Sequence, residues 1–327
     1  MSPHPSAIAA AFISTGIISL APNILLFLFP NYGFSDSSNY RGRTILSMGQ
    51  ALAVGGLLGD VFLHTLPDCF ADSLDGKNDP IDGFERIGLR VIVGFSTFFI
   101  LDVFVRSLED QGSGGHNHSH HNSNVKVNRK DDSRPWQCFL TSSVLLNLLG
   151  DALHNFTDGL AIGATFCVTQ MPNSQSNGSF ISWTASAFSL LRSKGGLASI
   201  SVFLHEIPHE LGDFATLVRA GLTRNMAIGC QFITAIAAFM GTAFGLFSGH
   251  IIEGLGSDVL LPFTAGGFLY LASAAILPDV LEADVSAVMR LLQIGSFLLG
   301  VLFMYLVAAL EAIEETQASV ARSHNEL

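Results

Sequence analysis

The feature that most limits what this chain can become is the recurrence of long apolar runs. Eight of them, at about 6–29, 44–66, 87–106, 138–168, 195–219, 225–247, 260–278 and 289–310, are each long enough to cross a hydrocarbon core of about 30 Å at 1.5 Å per residue. Only 13% of the residues are charged and 49% are hydrophobic, and the charges gather between the runs. The expectation is an all-α membrane protein, an eight-transmembrane-helix bundle, with residues 1–327 forming a single membrane domain. The first run begins near Ser6 without a basic segment before it and is long enough to span, so it reads as a retained helix.

The net charge of -11 comes largely from the loops and the acidic tail, which gives no reason to expect nucleic acid as a partner. Cys69, Cys138, Cys167 and Cys230 are scattered with no CxxC pair, so buried free thiols are expected rather than a disulfide framework. Lys and Arg in the short loops give the orientation. With both termini extracytoplasmic or luminal, the 16 basic residues divide ten to six in favour of the cytosolic side. Asn177-Gly178-Ser179, a glycosylation acceptor pattern, then falls on the luminal side.

The loop between the third and fourth runs, about 107–137, has too few apolar residues to bury a core and is expected to be a disordered cytosolic segment. It holds His116, His118, His120 and His121, which read either as weak, exchangeable metal binding or as part of a hydrophilic linker. Polar residues on the fourth and fifth runs favour metal.

On the fourth run, Asn147, Asp151, His154, Asn155 and Asp158 fall at helical spacing on one face. A polar stripe along a membrane helix must face protein or water rather than lipid. The fifth run carries His205-Glu206-Ile207-Pro208-His209-Glu210-Leu211-Gly212-Asp213. His154 with Asp158, and His205 with His209, are each four residues apart, so two helices together offer a four-ligand N/O site that suits Zn²⁺ or a neighbouring divalent metal. A network that merely ties helices together uses one or two polar groups per helix, and ten on two helices exceed that. Pro208 removes a backbone donor, frees the carbonyl of Leu204 and predicts a kink between the two histidines. Asp151, Glu210 and Asp213 are candidate pathway residues beside the ligands. His64, four residues after Asp60, is a candidate entrance. Gln231 is expected to make a structural hydrogen bond or to offer a carbonyl, and Asp102 to pair with Arg106. Gly55-Gly56 and Gly266-Gly267 should permit close helix packing.

His205-Glu206-Ile207-Pro208-His209 also fits H-E-x-x-H, so an intramembrane zinc metalloprotease is the alternative. Proline inside the motif argues against it. So does the repeated ligand pair on the fourth run, because a catalytic zinc keeps three protein ligands and an open position.

These residues resemble the ZIP family of zinc transporters. The fifth-run stretch matches the HExPHExGD signature of the family's histidine-rich subfamily, and His154-Asn155-Phe156-Thr157-Asp158-Gly159-Leu160-Ala161-Ile162-Gly163 is similar to its HNFxDGLAIG stretch. The resemblance extends through Leu261-Pro262-Phe263-Thr264-Ala265-Gly266-Gly267-Phe268. It implies a binuclear site, one metal among His154, Asp158, His205 and His209 and a second near Asn155 and Glu206, with His209 bridging. It implies Zn²⁺ as the transported substrate rather than a cofactor, with Fe²⁺ or Mn²⁺ as alternatives, moving from an organelle lumen or the outside into the cytosol. An endoplasmic reticulum or Golgi membrane and a homodimer are further implications of the resemblance.

Overall fold

A computed structural model of the protein describes residues 4–28, 40–75, 80–112, 141–168, 193–247, 256–281 and 285–325. Every regular element among them is helical, and they group into eight rods. The rods are α1 (Pro5–Leu28), α2 (Tyr40–Asp60), α3 (Pro80–Gly112), α4 (Ser142–Val168), α5 (Lys194–Arg219), α6 (Arg224–Phe247), α7 (Leu261–Tyr270) and α8 (Ala287–Asn325). Rod α2 continues through a π-helical turn, Val61–Thr65, into Leu66–Asp75. Rod α7 is preceded by the π-helical turn Gly256–Leu260 and followed by Leu271–Ile276 and Leu277–Val280.

Six of the eight are long and apolar enough to cross a membrane. The two that fall short by composition are α4 and α5, which carry the polar stripes. Most of the apolar residues left outside the packing sit on α1, α3, α6 and α8, among them Ile17, Ile92, Ile100, Ile233, Leu291 and Leu299. A surface this apolar on most of the outer rods, around polar residues within, is the reverse of a water-soluble bundle and suits a lipid solvent.

The rods associate as two groups. In one, α4 lies along α6, and α1 packs against α4, α5 and α6. In the other, α2 lies along α8 and α3 along α7. Contact between α2 and α5 joins them. Lipid tails give helices no hydrophobic reason to associate, so close backbone approach must supply the attraction. A Cβ added at Gly159 would stand 2.0 Å from the carbonyl oxygen of Ala238, and one at Gly241 2.0 Å from that of Phe156. Equivalent approaches join the other pairs: Gly266 against Val91 at 2.0 Å and Gly55 against Phe297 at 2.1 Å. Of the two expected glycine pairs, Gly55 and Gly266 meet backbone, Gly267 meets the Phe98 ring, and Gly56 has only an ordinary contact with Pro208.

Two boundaries differ from the expectation. Helix α3 runs to Gly112, so residues 107–112 of the segment expected to be disordered are helical. A helix end needs acceptors for its first free N–H groups, and Glu109, on this extension, accepts from the backbone N–H of Ser142 at 2.6 Å where α4 begins. Helix α8 likewise outlasts its apolar run. Residues 113–137, with His116, His118, His120 and His121, lie outside the described residues, as do Asn177, His250 and Cys138. Cys69 is buried, Cys230 is a buried free thiol, and Cys167 is half-buried and free.

Candidate metal centre

The stripes on α4 and α5 face each other. Asn147, Asp151, His154, Asn155 and Asp158, with His205, Glu206, His209, Glu210 and Asp213, are all 9% exposed or less, so protein rather than lipid surrounds them. The N-terminus of α5 is capped by the side chain of Ser193, which accepts from the Gly196 N–H, and the helix runs unbroken through Pro208.

One donor atom from each of His154, Asp158, His205 and Glu206 lies within 4.8 Å of all the others. His205 Nε2 is 2.8 Å from Asp158 Oδ2, and His154 Nε2 is 3.7 Å from the same oxygen. His154 Nε2, His205 Nδ1 and His209 Nε2 are buried and have no hydrogen-bond partner. Buried polar atoms are ordinarily satisfied, so an orphaned set of imidazole nitrogens beside carboxylates has the chemistry of a divalent-cation site.

The tight group differs from the four residues expected first, since Glu206 takes the place given to His209. His209 lies beside this group, its ring centroid 6.1 Å from that of His205. His209 instead stacks on His154, centroids 4.8 Å apart at 28°, and on Phe268 at 5.6 Å. Asn155 turns its amide nitrogen to the Asp151 carboxylate and carbonyl, which leaves its oxygen as the atom available to a cation.

The π-helical turn of α2 brings in His64, whose ring centroid is 5.5 Å from that of His205. Asp60, one turn earlier and 1% exposed, accepts from the Thr65 hydroxyl at 3.3 Å and has a second oxygen without a partner. Sequence reading missed Glu311 of α8, whose carboxylate is 2.8 Å from His64 Nδ1 and accepts from the Ser201 hydroxyl. Its only signal was to be the first carboxylate after the last apolar run. On the other side of the tight group, Asn147 donates to Asp213 at 2.7 Å, and Gln231 donates to the backbone carbonyl of Glu210 at 2.7 Å. Gln231 therefore makes the expected structural bond through its amide nitrogen, while its carbonyl oxygen is buried without a hydrogen-bond partner. Asp102 pairs with Arg106 at 2.8 Å as expected and also accepts from Tyr270 and Ser142.

A cavity of about 340 Å³ opens beside the tight group, lined by Asp158 and His205 together with His64, Asp68, Ser201 and Glu311. At the opposite end a cavity of only about 30 Å³, lined by Gln50, Ser143, Thr216 and Asp279 among others, touches none of the ten buried polar residues.

Long apolar helices around a buried histidine–carboxylate cluster with a cavity beside it define a multi-pass membrane protein with a candidate metal centre. The family model for the ZIP zinc transporter matches residues 6–184 and 179–308. The chain is 32% identical to zinc transporter SLC39A7 of Mus musculus, over 93% of this chain and 70% of that protein. It is 35% identical to zinc transporter ZIP13 of Mus musculus, over 76% of this chain and 65% of that one. With zinc transporter YKE4 of Saccharomyces cerevisiae the identity is 31%, over 84% of this chain and 71% of that protein. The chain belongs to the ZIP zinc transporter family. It is therefore a transporter rather than an enzyme, and the metalloprotease reading of the H-E-x-x-H match is not favoured.

Proposed function

We propose that the chain carries Zn²⁺ from an organelle lumen or the outside into the cytosol, as a secondary transporter with a paired metal site between α4 and α5. The observation that carries this reading is the buried group of His154, Asp158, His205 and Glu206 beside a cavity of about 340 Å³. Polar groups at this density within apolar helices are costly and are kept where an ion passes. One ion is assigned to His154, Asp158 and His205, and a second to Asn155, with Glu206 and His209 in reach of both. Imidazole with carboxylate also accepts Fe²⁺ and Mn²⁺, which we assign as lesser cargo.

In this reading all eight rods cross the membrane as one domain over 1–327, with both termini luminal. The ends of α2, α4 and α8 and the start of α5 then share the luminal side. The large cavity is lined by residues from these ends, Asp68, Thr165, Ser201 and Glu311 among them, which supports entry from the lumen past His64. Asp151, Glu210 and Asp213 carry the polar line on towards the cytosol, where His116, His118, His120 and His121 of the third loop receive the ion. The relatives' names, all zinc transporters, support zinc as the substrate. An endoplasmic reticulum or Golgi membrane and a homodimer are assigned from the family resemblance.

Metal uptake into vesicles reconstituted with the purified protein tests this directly. Wild type should accumulate Zn²⁺ down its gradient, while His154→Ala and His205→Ala should each lose most of that flux. Full uptake by both variants would remove the site assignment. Binding without flux in wild type would make the protein a metal receptor instead.

A further inference from the structure

Glu311 belongs to none of the motifs above, yet it stands in the cavity wall between two helices that carry the candidate site. Its carboxylate is 2.8 Å from His64 Nδ1 and accepts from the hydroxyl of Ser201 on α5. It therefore touches α2 and α5 while itself belonging to α8. His64 is 20% exposed and Glu311 25%, and both line the large cavity with Asp158 and His205.

An imidazole has two nitrogens, and the partner of one decides what the other can do. A carboxylate 2.8 Å from Nδ1 favours the proton on that side, which leaves Nε2 as the nitrogen to take a cation. Carboxylates placed behind histidines in this way fix the ring's tautomer and rotation. The nearby Asp68 does not replace Glu311 in this role, because its oxygen is 3.7 Å from the same nitrogen. The titratable and charged groups facing His64 are Asp60 and Asp68 on its own helix, Glu311 on α8, Asp158 on α4 and His205 on α5. Of these Glu311 comes nearest the ring, its carboxylate 2.8 Å from Nδ1 as an ion-pair contact rather than an aligned hydrogen bond.

We infer that Glu311 is a positioning residue of the transport path. It holds the His64 ring over the cavity so that one nitrogen receives a divalent cation on its way to Asp158 and His205. The inference rests on the transport reading above. It separates Glu311 from the metal-binding groups, since the residue acts through His64 rather than on the ion.

The test is Zn²⁺ uptake by vesicles containing the full chain, with Glu311→Gln, Glu311→Asp, His64→Ala and the double variant. Removal of a carboxylate that orients a metal-binding histidine typically costs 10–100-fold in affinity or activity, so Glu311→Gln should raise the KM for Zn²⁺ by about 10-fold with little change in the maximal rate. Glu311→Asp should recover much of the loss. In the His64→Ala background, Glu311→Gln should add nothing, because residues acting as one unit are not additive. An equal loss in both backgrounds, or an unchanged KM in Glu311→Gln, would overturn the inference. Absence of uptake by wild type would instead overturn the transport reading. Should the double variant fail to fold, the comparison of Glu311→Gln with Glu311→Asp still decides, since equal defects in both would also overturn the inference.

Discussion

At the scale of single residues, the candidate site depends on nitrogens that are free to bind. An imidazole takes a metal only when neutral, and histidines commonly titrate between about pH 5 and 8. Protons and Zn²⁺ therefore compete, and the sign is fixed: lowering pH on the entry side reduces uptake and raising it restores uptake. We expect Zn²⁺ uptake at subsaturating metal to fall several-fold between about pH 7.5 and 5.5, with saturating Zn²⁺ restoring much of it. A pH-independent KM would count against histidine ligands. The closeness of His154, Asp158 and His205 was legible because one-turn spacing is a property of sequence. Which of Glu206 and His209 lies nearest to them was not, since that depends on how far α5 is rotated and advanced against α4. Glu311 was illegible for a related reason: its partners, His64 and Ser201, come from two other helices. Asp102 shows the structural use of a buried carboxylate. At 4% exposure it accepts from Arg106, Tyr270 and Ser142. Asp102→Ala would strand those donors at about 1–3 kcal/mol for each one left buried. Thermal unfolding in detergent should show a clear loss of stability, whereas a melting curve matching wild type would mean water reaches the donors.

At the scale of elements, apolar runs located the rods well, because the cost of unpaired backbone in lipid ties apolar length to helical length. The ends of α3 and α8 escaped, since nothing in a hydropathy pattern stops a helix from continuing into water. The π-helical turns escaped too, as a hydropathy pattern does not distinguish an α-helical turn from a π-helical one. What holds the rods together was partly visible in the glycines. Gly159 and Gly241 lie in the contact of α4 with α6, and each sits where an added Cβ would be 2.0 Å from a backbone carbonyl oxygen. Backbone cannot step aside as a flexible side chain can, so the helices must separate. Gly159→Val should lower stability by at least the roughly 1–3 kcal/mol of an overpacked core and displace His154 and Asp158 with the helix. Gly88→Val, where a Cβ meets nothing within 4 Å, is the matched control. Thermal melts and the yield of monodisperse protein measure both. Equal behaviour of the two variants would dissolve the claim that close approach holds α4 to α6.

At the scale of the whole molecule, the two groups of rods meet at the polar centre, and among the described residues the cavities on its two sides are unequal. Ala198 lines the large cavity near the start of α5. Thr216 lines the small one near the end of the same helix. The chain therefore presents an asymmetric path, and orientation in the membrane turns that asymmetry into a direction. Basic residues in the loops suggested the orientation, but a ten-to-six division of charge cannot say which end of the path is open. Accessibility can. In a background with the native cysteines replaced, Ala198→Cys should react quickly with a membrane-impermeant thiol reagent added on the luminal side, and added Zn²⁺ should slow the reaction. Thr216→Cys, at a position only 5% exposed, should react slowly from either side. Fast labelling of Ala198→Cys from the cytosolic side would invert the proposed orientation while leaving the site intact. Similar rates at the two positions from a single side would mean that the path is open throughout, as in a channel. A carrier requires the other outcome, because alternating access keeps one end closed while the metal is held.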